Sequence, residues 1–264
     1  MKLETWARSD IGLIRKSNQD ALGVYPEVGV FILADGMGGH AAGEVASRMA
    51  VEAIYDELQQ NGRRNAPASS LSMRVARLFG RSAVQPHTEA TLRAAFQHAN
   101  QVIAQAGVDR SDGAAERRMG STAVVLVIAP NDARALWAHV GDSRLYRLRV
   151  GELALLTADH TLPGDQYRGE AVIPTDLPHT NVLLQALGTQ PDVDVAIGAA
   201  DTEAGDLFLL CSDGISGQLN AAVIQQQLTA TDDLQQAGEA LIRLSLQAGG
   251  RDNASAVLVR IVEG

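Results

Sequence analysis

Four aspartates stand in short turn-like steps: Asp35-Gly36, Gly141-Asp142, Asp213-Gly214 and Asp252-Asn253. Any one of them reads as turn chemistry, because Asp, Asn and Gly are the residues that tight turns use. The set reads differently, since each member falls at a strand end or in an adjacent turn, where layered β-structure gathers its edges into one cleft. Clustered carboxylates repel one another unless positive charge lies between them. Hard divalent cations with oxygen ligands meet that need. His and Cys are absent from the immediate Asp-Gly and Asp-Asn steps, so Mg²⁺ or Mn²⁺ is expected rather than zinc. The single cysteine, Cys211, has no arginine six residues later to hold an anionic substrate for it, position 217 being glycine. It reads as a buried strand residue.

The elements that must position these carboxylates follow from the apolar pattern. Val28 to Ala34 has the length and β-branched or aromatic content of a buried strand and stops at Asp35-Gly36. Leu207 to Cys211 does the same before Ser212-Asp213-Gly214, and the last strand is Ala254 to Val262. Ser121 to Ala129 turns through Pro130-Asn131-Asp132 into Arg134 to Val140, and a further strand runs from Ser143 to Arg149. Connections this short imply antiparallel pairing. Helices are expected from Glu44 to Gln60, from an N-cap at Thr88 to a stop at Gly107, after Asn220, and from Leu234 to Ala248 before Gly249-Gly250. Runs of strands and runs of helices indicate an α+β layered domain.

At 264 residues, 46% hydrophobic and 20% charged, the chain is long enough for one large core. The formal charge of −9 argues against a nucleic-acid partner held by a general basic field. No apolar run reaches the ~18–20 residues of a transmembrane segment. One cysteine and no apolar leader in the first twenty residues point to a cytoplasmic protein. Monomer is the expected state. Two stretches stand apart: about 161–181, rich in Pro and Gly, reads as a flap, and about 61–87 reads as a basic insertion. Within the insertion Leu71, Val75, Leu78 and Phe79 can share one helix face while Arg74, Arg77 and Arg81 share another. That pattern suits a surface helix, or a docking element for an acidic partner.

Seven ordered motifs run from Arg15-Lys-Ser-Asn-Gln-Asp20 through Ala34-Asp-Gly-Met-Gly-Gly-His40, Gly120-Ser-Thr122, Gly141-Asp-Ser-Arg-Leu-Tyr146, Leu156-Thr-Ala-Asp-His160 and Cys211-Ser-Asp-Gly214 to Gly250-Arg-Asp-Asn253. Together they resemble the metal-dependent protein serine/threonine phosphatase family, type 2C, in bacterial form. The resemblance implies one catalytic domain over 1–264, with two packed, mainly antiparallel sheets flanked by helix pairs in four αββα layers. It implies hydrolysis of phosphoserine and phosphothreonine on proteins by a metal-bridging hydroxide, reversing a bacterial Ser/Thr kinase. It further implies that Asp35 bridges two metals, that Gly36 binds one through its carbonyl, and that Asp213 and Asp252 complete the first. Asp20 then acts at the second metal, Asp142 at a third, and Arg15 holds the phosphate. Animal members have a His directly after the Asp-Gly; this chain has Met37, which leaves His40 as the candidate general acid, with His160 as another.

Two other readings compete. Gly36-x-Gly38-x-x-Ala41 satisfies the dinucleotide-binding pattern of an oxidoreductase, with Asp56 twenty residues on. A non-catalytic phosphoprotein-binding module is the other, and it would show by the loss of metal ligands.

Overall fold

The computed structural model describes residues 2–38, 40–64, 87–109, 119–128, 133–161 and 182–263. Apart from helical residues 61–64 and the boundary residues 87 and 161, the basic insertion and the flap lie outside them. So does the turn expected at Pro130-Asn131-Asp132.

Among the described residues, eleven strands form two antiparallel sheets. One sheet has the order β1 (Lys2–Asp10), β11 (Ala254–Val262), β10 (Leu207–Cys211), β7 (Arg144–Arg149) and β8 (Glu152–Leu155). The other has the order β2 (Asp20–Tyr25), β3 (Val30–Met37), β5 (Ala123–Ile128), β6 (Arg134–Val140) and β9 (Ala196–Asp201), with β4 (Gly120–Ser121) also on β3. The central strands β3, β5, β10 and β11 are buried on both faces over most of their length, which explains their apolar runs. On β3, Phe31 and Leu33 point into the space between the sheets, where they meet Phe208, Leu210, Val257 and Val259. Val30, Ile32 and Ala34 alternate to the opposite face and pack under α1 (His40–Arg64) and α2 (Glu89–Asp109). On the far side Leu209, Cys211, Ala256 and Leu258 pack under α3 (Asp213–Ser216), α4 (Ala221–Thr229) and α5 (Leu234–Gln247). The layers are therefore helices, sheet, sheet, helices, with a one-turn helix added to the second expected pair.

Several boundaries differ from the sequence reading for identifiable reasons. Strand β3 does not stop at Asp35 but continues through Met37, because Gly36 and Met37 pair with Ser121 and Gly120. The expected strand 121–129 is broken at Thr122, whose N–H and hydroxyl are spent on the Asp35 backbone instead. Helix α1 starts at His40, once Gly38 (φ 122°) has turned the chain off the strand. Thr88 caps α2 as expected, its hydroxyl accepting from the Thr91 N–H at 3.2 Å, but the helix runs past Gly107 to Asp109. Strands β1, β2, β8 and β9 are not among the expected strands; most of their residues are half-buried or exposed, and pairing with a neighbour defines them. The dinucleotide reading fails on topology. The strand before its glycines, β3, is antiparallel to every neighbour, whereas that fold needs parallel strands joined by the helix.

Candidate metal centre

The carboxylates converge from separate elements on one end of the sandwich. Asp35 lies near the end of β3, Asp20 opens β2 directly opposite it, Asp142 sits in the β6–β7 turn, Asp213 begins α3 and Asp252 precedes β11. A cleft of about 420 Å³ is walled by Arg15, Asp35, Gly36, Asp142, Asp213 and Asp252. Asp20 is not on its wall. It lies behind, with one oxygen accepting from Ser212 Oγ at 2.8 Å and Ser255 Oγ at 2.6 Å.

The backbone beneath the cleft is tied from several sides. Thr122 donates its N–H to the Asp35 carbonyl at 2.8 Å and accepts the Asp35 N–H on its hydroxyl at 3.0 Å. The same hydroxyl meets Ser143 Oγ at 2.7 Å, which links Asp35 to the Asp142 turn. Gly141 in that turn has φ 102°, and a Cβ there would lie 2.6 Å from the Thr122 side chain, so only glycine fits. Gly36 donates its N–H to the Gln19 carbonyl at 3.0 Å. Gly43 of α1 comes so close that a Cβ on it would stand 2.8 Å from the Gly36 carbonyl oxygen. Small residues at both positions let the helix start abut the strand end.

Electrostatics make this arrangement costly for a bare protein. Opposed like charges across a strand pair destabilise a sheet, and Asp20 and Asp35 are such a pair. Burial, followed by the neighbouring carboxylates, pushes Asp35 well above the usual carboxylate range and raises Asp213. Burial likewise raises Asp20 and Asp142 to about 7. The buried oxygens Asp20 Oδ1 and Asp213 Oδ1 have no hydrogen-bond partner. Among the described residues no three His, Cys, Asp or Glu side chains already enclose a point as a finished cage. Asp252 instead accepts from Arg15 Nη2 at 2.5 Å. An all-oxygen set with orphaned buried atoms and mutual repulsion fits hard divalent cations, and it fits nothing softer.

A pH dependence follows. Asp20 and Asp142 bind protons more tightly folded, at about 7, than at their ordinary 3.8, so between those values the native state holds more protons than the unfolded one. Stability of the chelated protein therefore falls as pH rises from about 4 to 7 and stays low above. In a chelator, Tm is expected to be higher at pH 5 than at pH 8, and Mn²⁺ at pH 8 should restore it. A flat Tm in chelator across that range would contradict the buried repulsion.

Of the other sequence candidates, His160 belongs to the scaffold. It is buried, its Nδ1 accepts the Gly141 N–H at 3.3 Å, and its ring packs on His139 with centroids 4.7 Å apart. His40 opens α1, and its side chain lies outside the described residues. Cys211 is fully buried, and burial pushes its thiol up to about 12, consistent with an inert strand residue. Sequence reasoning did not single out the residues that hold the carboxylates in place. Asn253 accepts the Gln19 N–H at 2.8 Å and donates to the Ile11 and Ser17 carbonyls at 2.8 and 3.1 Å, clipping the Arg15 loop to the Asp252 turn. Arg144 grips Asp159 through Nε and Nη2 at 2.9 and 2.7 Å, just behind the Asp142 turn. Ser255 carried a visible signal, a lone hydroxyl inside an apolar strand.

Comparison with known proteins agrees with this geometry. The family model described as Protein phosphatase 2C matches residues 15–263. Protein phosphatase PhpP of Streptococcus pneumoniae is 33% identical over 265 residues, covering 97% of this chain and 96% of that protein. The crystal structure of the Mycobacterium tuberculosis serine/threonine phosphatase PstP/Ppp superposes with a TM-score of 0.79 at 30% identity over 100% of both chains. The catalytic domain of serine/threonine protein phosphatase PstP, solved in complex with two manganese ions, gives 0.76 at 31% identity over 99% of both chains. The ordered motifs, the four-layer sandwich and the acidic cleft at its edge thus agree with the match along almost the whole sequence: the chain belongs to the protein phosphatase 2C family and is a metal-dependent protein serine/threonine phosphatase.

Proposed function

We propose that the acidic cleft hydrolyses phosphoserine and phosphothreonine esters on bacterial proteins, with the whole of 1–264 acting as one catalytic domain. The observation that carries this reading is the gathering of Asp35, Asp142, Asp213 and Asp252 around one cleft, with unpartnered buried oxygens on Asp20 and Asp213 and with Arg15 on the rim. Asp35, the Gly36 carbonyl, Asp213 and Asp252 would hold two divalent cations, with Asp20 behind them and Asp142 serving a third. Bound there, Mn²⁺ or Mg²⁺ supplies an activated water and neutralises charge on the phosphoryl oxygens.

The chain's own groups then have defined tasks. Arg15 already reaches into the cleft to Asp252, and its planar fork suits two phosphoryl oxygens at once. His40, at the first turn of α1, would protonate the leaving serine or threonine oxygen. Ser212 and Ser255 hold one oxygen of Asp20 and so orient the other. A phosphoprotein substrate implies a serine/threonine kinase that makes it, and that kinase is the proposed partner. A monomer in the cytoplasm is consistent with this role, and no helix among the described residues is long and apolar enough to cross a membrane. The basic insertion is assigned a docking role for acidic phosphoproteins. Purified protein should turn over an aryl phosphate and a phosphothreonine peptide with Mn²⁺ or Mg²⁺, lose both activities in chelator and keep both in Cys211→Ser. Full activity in chelator, or activity lost with Cys211, would overturn the reading.

A further inference from the structure

Resting on the phosphatase reading and sharpening its substrate class, we propose that the chain selects phosphoproteins carrying a large apolar side chain close to the phosphorylated residue. The reader of that side chain is a platform of Ile11, Leu13 and Ile14. These residues are 40%, 66% and 68% exposed, and they directly precede Arg15 and Lys16, which line the cleft. Single exposed apolar side chains need no explanation, but three within four residues at the lip of a catalytic cleft do.

The platform is held rigidly, so its exposure is built in. Leu13 donates its N–H to the Gly250 carbonyl at 2.8 Å, and Asn253 holds the Ile11 and Ser17 carbonyls on either side. Gly12 adopts φ 80° against the Asp252 carbonyl, where any side chain would collide. A segment fixed this way pays little ordering entropy when it binds. Beyond Leu13 a groove of about 310 Å³ continues the apolar surface between Leu13 and Ile242 and Leu246 of α5.

Charge selects the occupant. Lys16 at the cleft and Arg243 on the groove are exposed and form no ion pair among the described residues. The nearby acids are already engaged, Asp10 and Glu239 by Arg8 and Asp252 by Arg15. In a chain of net charge −9 this is a local excess of positive charge, and it suits a substrate segment with acidic residues around its apolar anchor. Leu13 is two residues from Arg15, so an extended substrate at ~3.3 Å per residue spans from phosphate to platform within about three residues.

The test uses the full chain with Mn²⁺ and acidic phosphothreonine peptides in which one Leu is walked through the three positions on either side of the phosphothreonine. An all-Ser version and an aryl phosphate serve as references. At one position Leu is expected to raise kcat/KM about tenfold over Ser, through KM. The double variant Leu13→Ser/Ile14→Ser should lose that preference and keep aryl phosphate turnover. Arg243→Glu, at an exposed helical site, should flatten the salt dependence for acidic peptides and provides an independent readout if the double variant folds poorly. Equal kcat/KM for all peptides in the wild type overturns the proposal, as does a preference that survives in the double variant. Loss of binding to phosphatidylserine vesicles without loss of peptide preference reassigns the face to lipid. If the wild type hydrolyses neither peptide nor aryl phosphate, the phosphatase reading itself fails and this inference falls with it.

Discussion

Asp35→Asn is expected to lower phosphopeptide turnover by about a thousandfold or more while raising the Tm of the chelated protein. The two effects have one origin. Asp35 is half-buried beside Asp20, Asp213 and Asp142, and its ionised form is disfavoured first by desolvation and then by their charges. An amide of the same shape removes one buried charge and relieves its neighbours, so the metal-free fold gains stability at pH 8. The same change removes a carboxylate that would hold the cations, and a neutral amide oxygen would hold them less strongly. Calorimetric metal counting and thermal melts on one preparation would check both halves. Unchanged metal stoichiometry with normal turnover would remove Asp35 from its assigned role, and a lower Tm in chelator would refute the electrostatic account.

Arg144→Ala is expected to cost about 3–5 kcal/mol of folding stability, because it strands a buried carboxylate. Asp159 is 9% exposed and receives Arg144 in a bidentate pair, with Nη1 also donating to the Tyr146 hydroxyl at 3.1 Å. Burial and the carboxylate act in opposite directions on the guanidinium, and the net effect raises its pKa, so the arginine is charged at every accessible pH. The segment it anchors returns to the Asp142 turn through the His160 N–H, which donates to the Gly141 carbonyl at 3.0 Å. Activity should therefore fall along with stability. Urea unfolding of Arg144→Ala, Asp159→Leu and the Arg144→Met/Asp159→Leu double variant would decide the cause. The double variant should recover much of the loss, because neither charge is then buried alone. A double variant less stable than both singles would show that the pair stabilises by more than neutralising a charge.

How much of this was legible beforehand differs by element. The buried strands around Phe31, Val125, Leu209 and Leu258 announce themselves, because burial on both faces forces an apolar run into the sequence. Edge strand β1 and the small-residue strand β9 do not, since their hydrogen bonds are supplied by β11 and β6 and need no particular side chains. The same division runs through the site. The aspartates and their glycine neighbours stand in local steps that one-dimensional reading can detect: Gly141 must be glycine for its own backbone angle, and Asp35, Asp142 and Asp213 for their charge.

The residue types of the cleft, their order along the chain and the hard-cation chemistry they demand were thus determined by the sequence itself. Tertiary structure alone decided that Asp20 faces Asp35 across a strand pair, that Ser212 and Ser255 arrive from different elements to hold it, and that Asn253 clips the Arg15 loop. The serine and asparagine contacts join residues more than 190 positions apart, such as Ser212 with Asp20. A hydroxyl or amide carries no local mark of a partner that far away, because only the packing of two sheets brings it within hydrogen-bond reach.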